Sequence, residues 1–229
     1  PVSLVVTGFA PVSDVRGTLT PEIASDVDNR LFLVDLGLGQ NRLGGSVLAQ
    51  VYNATGSTTP DIAAATLKAF FDLIQELNRL GYLTAYHDRS DGGAITTLLE
   101  MAFAGRCGLD LSIDGLGGDP MAGLFAEEVG AAFQVKAGDA EFVREQFEAA
   151  GLGEALIELG QAIARPQVRV DWRGKTLIDR QLVDLKATWS ATSFHMSALR
   201  DNPDTAEQAY AAATDFDDPQ LAGSTATFD

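Results

Sequence analysis

Cysteine, histidine and basic charge are all scarce in this chain. Among 229 residues there is one cysteine, Cys107, and two histidines, His87 and His195. A single thiol excludes an internal disulfide and any metal site built on several cysteines. The histidines lie far apart in sequence, which leaves a thiol-protease dyad or a zinc centre short of ligands. Cys107 sits between Arg106 and Gly108 at the end of an apolar helical pattern, and reads as a small buried hydrophobe. Lysine and arginine number 16 against 32 acidic residues, a formal charge of -16. Nucleic acids and anionic membranes both require a basic surface that displaces counterions, so neither is expected as a partner. No apolar run approaches the roughly 20 residues that span a bilayer. No basic stretch leads into a signal-like apolar segment. The chain begins at Pro1 rather than methionine, and is expected to be a piece of a longer, cytoplasmic polypeptide.

What is present is an ordinary globular composition, 46% hydrophobic with 23 glycines and 8 prolines, long enough to bury a substantial core. Apolar runs predict strands over Ser3–Phe9, Leu31–Leu36, Leu83–Tyr86, Leu109–Ile113, Ala131–Val135, Ala155–Leu159 and Gln167–Trp172. The last of these turns through Arg173-Gly174-Lys175 into Thr176–Ile178. Three- and four-residue spacing of Ala64, Leu67, Phe70, Phe71, Ile74 and Leu77 predicts the clearest helix, between Pro60 and Gly81. Further helices are expected at 47–51, 92–105, around Leu124 and Phe125, at 139–150 and at 182–199. The elements mix without strict βαβ alternation, which favours an α+β layered domain over a doubly wound sheet. Beyond Asp201-Asn202-Pro203 the residues turn to Ala, Asp, Thr and Gly, the composition of a linker with one marginal helix. Residues 1–200 therefore read as one lobe and 201–229 as a tail.

The densest chemistry lies in Tyr86-His87-Asp88-Arg89-Ser90-Asp91-Gly92-Gly93, where a short strand gives way to a helix. Asp88 and Asp91 offer hard oxygen ligands of the kind Mg2+ takes, with water and phosphate filling the remaining positions. Ser90 can donate to a phosphate oxygen. Gly92 and Gly93 let a ligand approach the backbone, and a helix N-terminus there favours an anion. A plainer reading competes, because Asp or Ser ahead of a helix caps it with no ligand involved, and Asp91 is best placed for that. A second glycine cluster, Gly37-Leu38-Gly39 with Gly44-Gly45-Ser46, also lies between a strand and a helix. It matches neither the P-loop nor the dinucleotide fingerprint, so structural turns compete with phosphate contact. Arg42 beside it either meets phosphate or is a solvated surface group. Glu127 and Glu128 either face a cleft as metal ligand or base, or form the polar end of a helix. His87 is a candidate base or a hydrogen-bonded structural residue. In the last helix His195 reads as packing or surface, and Trp189, Phe194 and Met196 as core or interface.

These residues resemble a known family. Tyr86–Gly93, followed by Leu98-Leu99-Glu100-Met101-Ala102-Phe103-Ala104-Gly105, is similar to formylglycinamide ribonucleotide amidotransferases (phosphoribosylformylglycinamidine synthases) of the large single-chain type. The resemblance extends to Arg42-Leu43-Gly44-Gly45-Ser46-Val47-Leu48-Ala49-Gln50-Val51, to Leu124-Phe125-Ala126-Glu127-Glu128-Val129-Gly130 and to Leu199-Arg200-Asp201-Asn202-Pro203. It implies an ATP-dependent ligase of purine biosynthesis that converts formylglycinamide ribonucleotide to the amidine with ammonia from glutamine. It also implies an α/β/α domain like the C-terminal domain of aminoimidazole ribonucleotide synthetase, with a mixed sheet flanked by helices. This chain resembles the second lobe of the second synthetase-like unit, with a linker toward a glutaminase. The implied partners are the remaining lobes and the glutaminase domain of the same polypeptide. The implied cofactors are Mg2+ and ATP or ADP, with the nucleotide held tightly as ADP that does not turn over. Carried over by motif, Asp88 is a magnesium ligand, and Ser90, Gly92, Gly93, Gly44 and Gly45 contact nucleotide. No catalytic residue is implied in this chain. The other metal ligands belong to a preceding lobe, and Cys107 does not lie in a glutaminase motif. The family tends to read Asp-Asn-Pro-x-Cys-Ala where this chain has Asp201-Asn202-Pro203-Asp204-Thr205-Ala206, a departure confined to the linker. A purely structural nucleotide scaffold with no part in turnover is the alternative.

Overall fold

The structure, a computed structural model, describes residues 7–12, 14–56 and 58–216. Residues 3–6 of the strand expected over Ser3–Phe9 lie outside the described residues. Thr7–Phe9 have no regular structure, and Phe9 is 93% exposed.

The remaining elements run in the order β1 (Asn29–Asp35), α1 (Val47–Val51), α2 (Ala64–Arg79), β2 (Leu83–Asp88), α3 (Gly93–Gly105) and β3 (Gly108–Ser112). They continue as α4 (Pro120–Phe125), β4 (Gly130–Lys136), α5 (Ala140–Ala149), β5 (Leu156–Ile163), β6 (Gln167–Trp172), β7 (Lys175–Gln181), α6 (Leu182–Arg200) and α7 (Pro203–Thr214). The strands form one seven-stranded sheet in the order β2-β4-β1-β5-β3-β6-β7. Only β3 and β6 pair parallel; the other neighbours are antiparallel. This is the mixed sheet of an α+β fold.

Side-chain alternation along β1 divides the core. Leu31 and Leu33 point into a cluster with α3, α4 and the start of α6, whereas Phe32 and Val34 point into a second cluster with α2 and α5. Period-2 alternation with both faces apolar is what a central strand between two helical layers requires. The second layer is narrower. Its buried strand residues come mainly from β2, β4 and β1, so on that face β3 shows the exposed Asp110 and Ser112.

Two details depart from simple periodicity. In β2 the register shifts between Leu83 and Ala85, so that Leu83 enters the α2/α5 cluster while Ala85 enters the α3 cluster. A bulge of this kind redirects every later side chain of the strand. On α2, Phe70, Ile74 and Leu77 are buried as the spacing predicts, but Leu67 and Phe71 are 43% and 59% exposed. The helix meets the sheet and α5 along one narrow stripe, and Phe71 falls outside it. At the other end of the chain, residues 203–214 form a full helix rather than a marginal one. The Asn202 side chain accepts from the N–H of Asp204 and Thr205, Pro203 takes the first turn, and Tyr210 stacks on Phe194 of α6 at 4.6 Å. The Tyr210 hydroxyl donates to the Ala187 carbonyl.

The aromatic stack Phe32–Phe133–Phe147, with ring centroids 5.5 and 5.9 Å apart, forms the centre of the second cluster. Phe133→Ala is expected to destabilise the chain by about 3–5 kcal/mol, whereas Phe71→Ser costs less than about 1 kcal/mol. Urea unfolding of the two variants checks the contrast.

Candidate functional site

The bulged edge strand β2 sets the directions of the motif residues. After the bulge, Tyr86 and Asp88 share one face, and the Tyr86 hydroxyl donates to Asp88 Oδ1 at 2.7 Å. Burial raises the Tyr86 phenol far above its ordinary value, and the bond to Asp88 adds to that, so it stays a donor. Both residues line a cavity of about 600 Å3 with Leu19, Phe70, Phe71 and Asn78. That size falls within the range of small-molecule sites. His87 points to the opposite face. Its Nδ1 bonds the Asp88 carbonyl at 2.8 Å, and its Nε2 lies 3.1 Å from Glu100 Oε2 on α3. His87 is thus tied into structure rather than poised as a base.

Arg89 turns inward. Its guanidinium donates to Asp35 Oδ1 and to the Gly123 carbonyl, both at 3.2 Å, with neither side chain of the ion pair solvent-exposed beyond 1%. Burial pulls the Arg89 guanidinium down from its ordinary value, while the Asp35 and Glu128 carboxylates push it back up. Asp35 in turn accepts the N–H groups of Gly37 and Gly39, which shapes the first glycine loop. Beside this pair lies a second one. Arg42 donates to Glu128 from Nε at 2.8 Å and Nη2 at 2.6 Å, and its backbone N–H donates to the same carboxylate. Burial alone lifts the Glu128 carboxyl, but the bonds from Arg42 outweigh it and hold the group below its ordinary value.

The N–H groups of the motif glycines are committed to acceptors within the protein. Gly44 and Gly45 donate to the Thr58 and Thr55 carbonyls at 2.7 and 2.8 Å, closing the 53–60 loop against them. Gly93 donates to the Ser90 carbonyl, and Gly92 to Glu127 Oε1, both at 2.9 Å. Gly93 has φ +73°, and a Cβ there would stand 2.7 Å from the Leu124 carbonyl oxygen, so α3 and the end of α4 can approach only with glycine at this place. The glycines therefore shape the turns, while the Asp88 carboxylate lines the cleft together with Asp14, Gln75 and Asn78, and Ser90 is partly exposed beside it. Asp91 is exposed and makes no cap; the N-cap of α3 is Gly92, in the left-handed region. Among the described residues no group of three or more His, Cys, Asp or Glu gathers to hold a metal.

The sequence reading of Glu127 and Glu128 missed their place. Helix α4 ends at Phe125, and both glutamates lie in the connection to β4. Glu128 is 1% exposed and locked to Arg42, so Arg42 is neither solvated nor free for phosphate. Glu127 Oε1 accepts from Val47 N–H at 2.8 Å as well as from Gly92 N–H. The signal that sequence did hold was the pairing of one arginine beside the first glycine loop with two acids before a strand. Cys107 is buried as expected, and burial pushes its thiol up to about 11. Trp189 and Met196 are 49% and 67% exposed on α6, and Phe194 packs on α7, so none belongs to the buried core.

A mixed sheet between two helical layers, with glycine loops gathered at the ends of β1 and β2, defines the class of this domain. The chain belongs to the family described as AIR synthase related protein, C-terminal domain, whose model matches residues 28–173. Among solved structures it is similar to Thermotoga maritima PurL complexed with FGAR, at 15% identity and TM-score 0.60 over 75% of this chain and 30% of that one. It is similar to T. maritima PurL complexed with ATP at 15% identity and TM-score 0.56, over 73% of this chain and 27% of that one. E. coli HypE matches at 23% identity and TM-score 0.51, over 71% of this chain and 51% of that one. The chain thus spans less than a third of the length of the PurL chains it resembles. At these identities the likeness is one of fold.

The depressed Glu128 carboxyl has a pH consequence. A group whose folded pKa lies below its ordinary value of 4.5 stabilises the fold above that value, and the stabilisation is lost as pH falls through the folded pKa. Glu128→Gln is expected to cost about 2 kcal/mol at neutral pH, with the gap to wild type narrowing below about pH 4.5. Urea titrations across that range check both halves of the statement.

Proposed function

We propose that this chain is a lobe of an ATP-dependent ligase of the formylglycinamide ribonucleotide amidotransferase type, contributing one side of a Mg-ADP site. The observation that carries the reading is the placement of Asp88. Its carboxylate stands at the end of an edge strand, on the wall of a 600 Å3 cleft, with Ser90 two residues on at the entrance to α3. The T. maritima PurL structures with ATP and with FGAR support a nucleotide and a substrate as ligands of this fold.

In this reading Asp88 gives one hard oxygen to Mg2+, oriented by the Tyr86 hydroxyl. The bound ion would offset phosphate charge. Ser90 donates to the nucleotide, and Gly92 and Gly93 keep the backbone low enough for its approach. Gly44 and Gly45 act by holding the neighbouring loop closed, their N–H groups being already donated. No residue of this lobe does catalysis. Residues 1–200 form the lobe, and 201–229 lead on toward a glutaminase domain, with α7 folded back at the start of that path. Exposed apolar side chains at the end of α1 and on α2, among them Val51, Phe71 and the adjoining Tyr52, are surfaces for the missing lobes.

Calorimetry of the 229-residue chain with ADP tests the reading. Binding is expected only with Mg2+ present, and Asp88→Asn is expected to weaken it about tenfold or more, about 1.4 kcal/mol. Mg-independent binding, or an Asn variant that binds as well as wild type, would sink it. In a full-length enzyme, Asp88→Asn that loses nucleotide occupancy while the chemistry survives would favour the structural scaffold. The chain alone is expected to form no amidine; product from it would refute the division of labour.

A further inference from the structure

The two glycine loops reach the site from different parts of the chain, one after β1 and one after β2, and each has its own internal bonds. Beyond the Asp35–Arg89 pair, a carboxylate oxygen bridges them. Glu127 Oε1 accepts from the N–H of Val47, just beyond Gly44-Gly45-Ser46, at 2.8 Å, and from the N–H of Gly92 at 2.9 Å. A carboxylate oxygen has lone pairs for two donors. The side chain can act as a clamp because its own backbone is held on both sides. Ala126, before it, is buried and donates to the Ala122 carbonyl; Glu128, after it, is locked to Arg42. The donors are held too. Ser46 donates from Oγ to the Leu43 carbonyl and accepts from Ala49 N–H, which fixes the start of α1. Gly93 N–H donates to the Ser90 carbonyl, so fixing Gly92 also fixes Ser90.

We infer that Glu127 is the positioning residue of this site, clamping the Gly44–Val47 loop to the Ser90–Gly93 turn through a single carboxylate oxygen, so that Ser90 is held where a nucleotide phosphate meets it. The ligand in this inference rests on the nucleotide reading above; the clamp does not. The role belongs to the oxygen atom rather than to the charge. A glutamine amide oxygen also accepts two N–H bonds, and it removes a negative charge from beside a phosphate.

The test pairs Glu127→Ala with Glu127→Gln in the full chain, read by amide hydrogen exchange and by ADP titration with Mg2+. In the alanine variant the Val47 and Gly92 amides are expected to lose protection together, about tenfold or more, while those of Leu98 and Met101 deeper in α3 keep theirs. The glutamine variant is expected to restore protection at both amides. ADP with Mg2+ is expected to bind about tenfold more weakly to the alanine variant and at least as tightly as wild type to the glutamine variant. Unchanged protection at either amide in Glu127→Ala, or a glutamine variant that behaves as alanine, would overturn the inference. If wild type binds no nucleotide, the ligand reading fails, and the exchange measurements still decide the clamp.

Discussion

Two charged side chains taken out of water at the ends of β1 and β2 constrain everything around them. Asp35 and Arg89 are buried almost completely, and a buried charge left without partners costs far more than a domain can spare. Each needs donors or acceptors around it, and the local backbone supplies most of them, with Arg89 Nε left without a partner. Asp35 draws in the N–H groups of Gly37 and Gly39, and Arg89 reaches the Gly123 carbonyl. The first glycine loop, the turn after β2 and the end of α4 are thereby brought to one place. The adjacent Arg42–Glu128 pair ties the same loop to the start of β4. The shape of the candidate site follows from satisfying these charges before any ligand is considered.

Most of the fold was legible because its signals are local. Strands over 31–36, 109–113, 131–135 and 167–172 are dense apolar runs, and β1 alternates so cleanly that its two faces separate the two cores. The bulge in β2 was not legible, since it depends on how Ala85 meets Gln134 across the sheet. The exposure of Phe71 was also hidden, because helical spacing reports a stripe but not its width. At the candidate site, Asp88, Ser90 and the glycines stand out as residue types, and their gathering between strand and helix was readable. What the types do was only half readable. Whether a glycine N–H faces a ligand or a carbonyl, and whether a glutamate caps a helix or locks an arginine, is decided by residues far away in sequence.

The C-terminal hairpin illustrates the same limit. Asn202-Pro203 is an ordinary helix start, yet Ala-rich composition marked the segment as marginal. Tertiary contact changes the balance, as the Tyr210–Phe194 stack and the bond to the Ala187 carbonyl give α7 a partner that propensity cannot express.

One layer of the sheet is shorter than the other, and this grades the stability of the molecule along its width. Strands β2, β4 and β1 are sandwiched, while β6 and β7 are backed by helices on one side and meet water on the other. β7 has no buried residue, whereas β1 buries Leu31, Phe32, Leu33 and Val34 completely, so resistance to local opening falls from the centre of the sheet toward β7. The motif turn after β2 lies at the opposite edge of the sheet from β7. A partner that pulls on the C-terminal hairpin would meet the sheet first at β7, while Trp189 carries part of the load to Glu100 on α3.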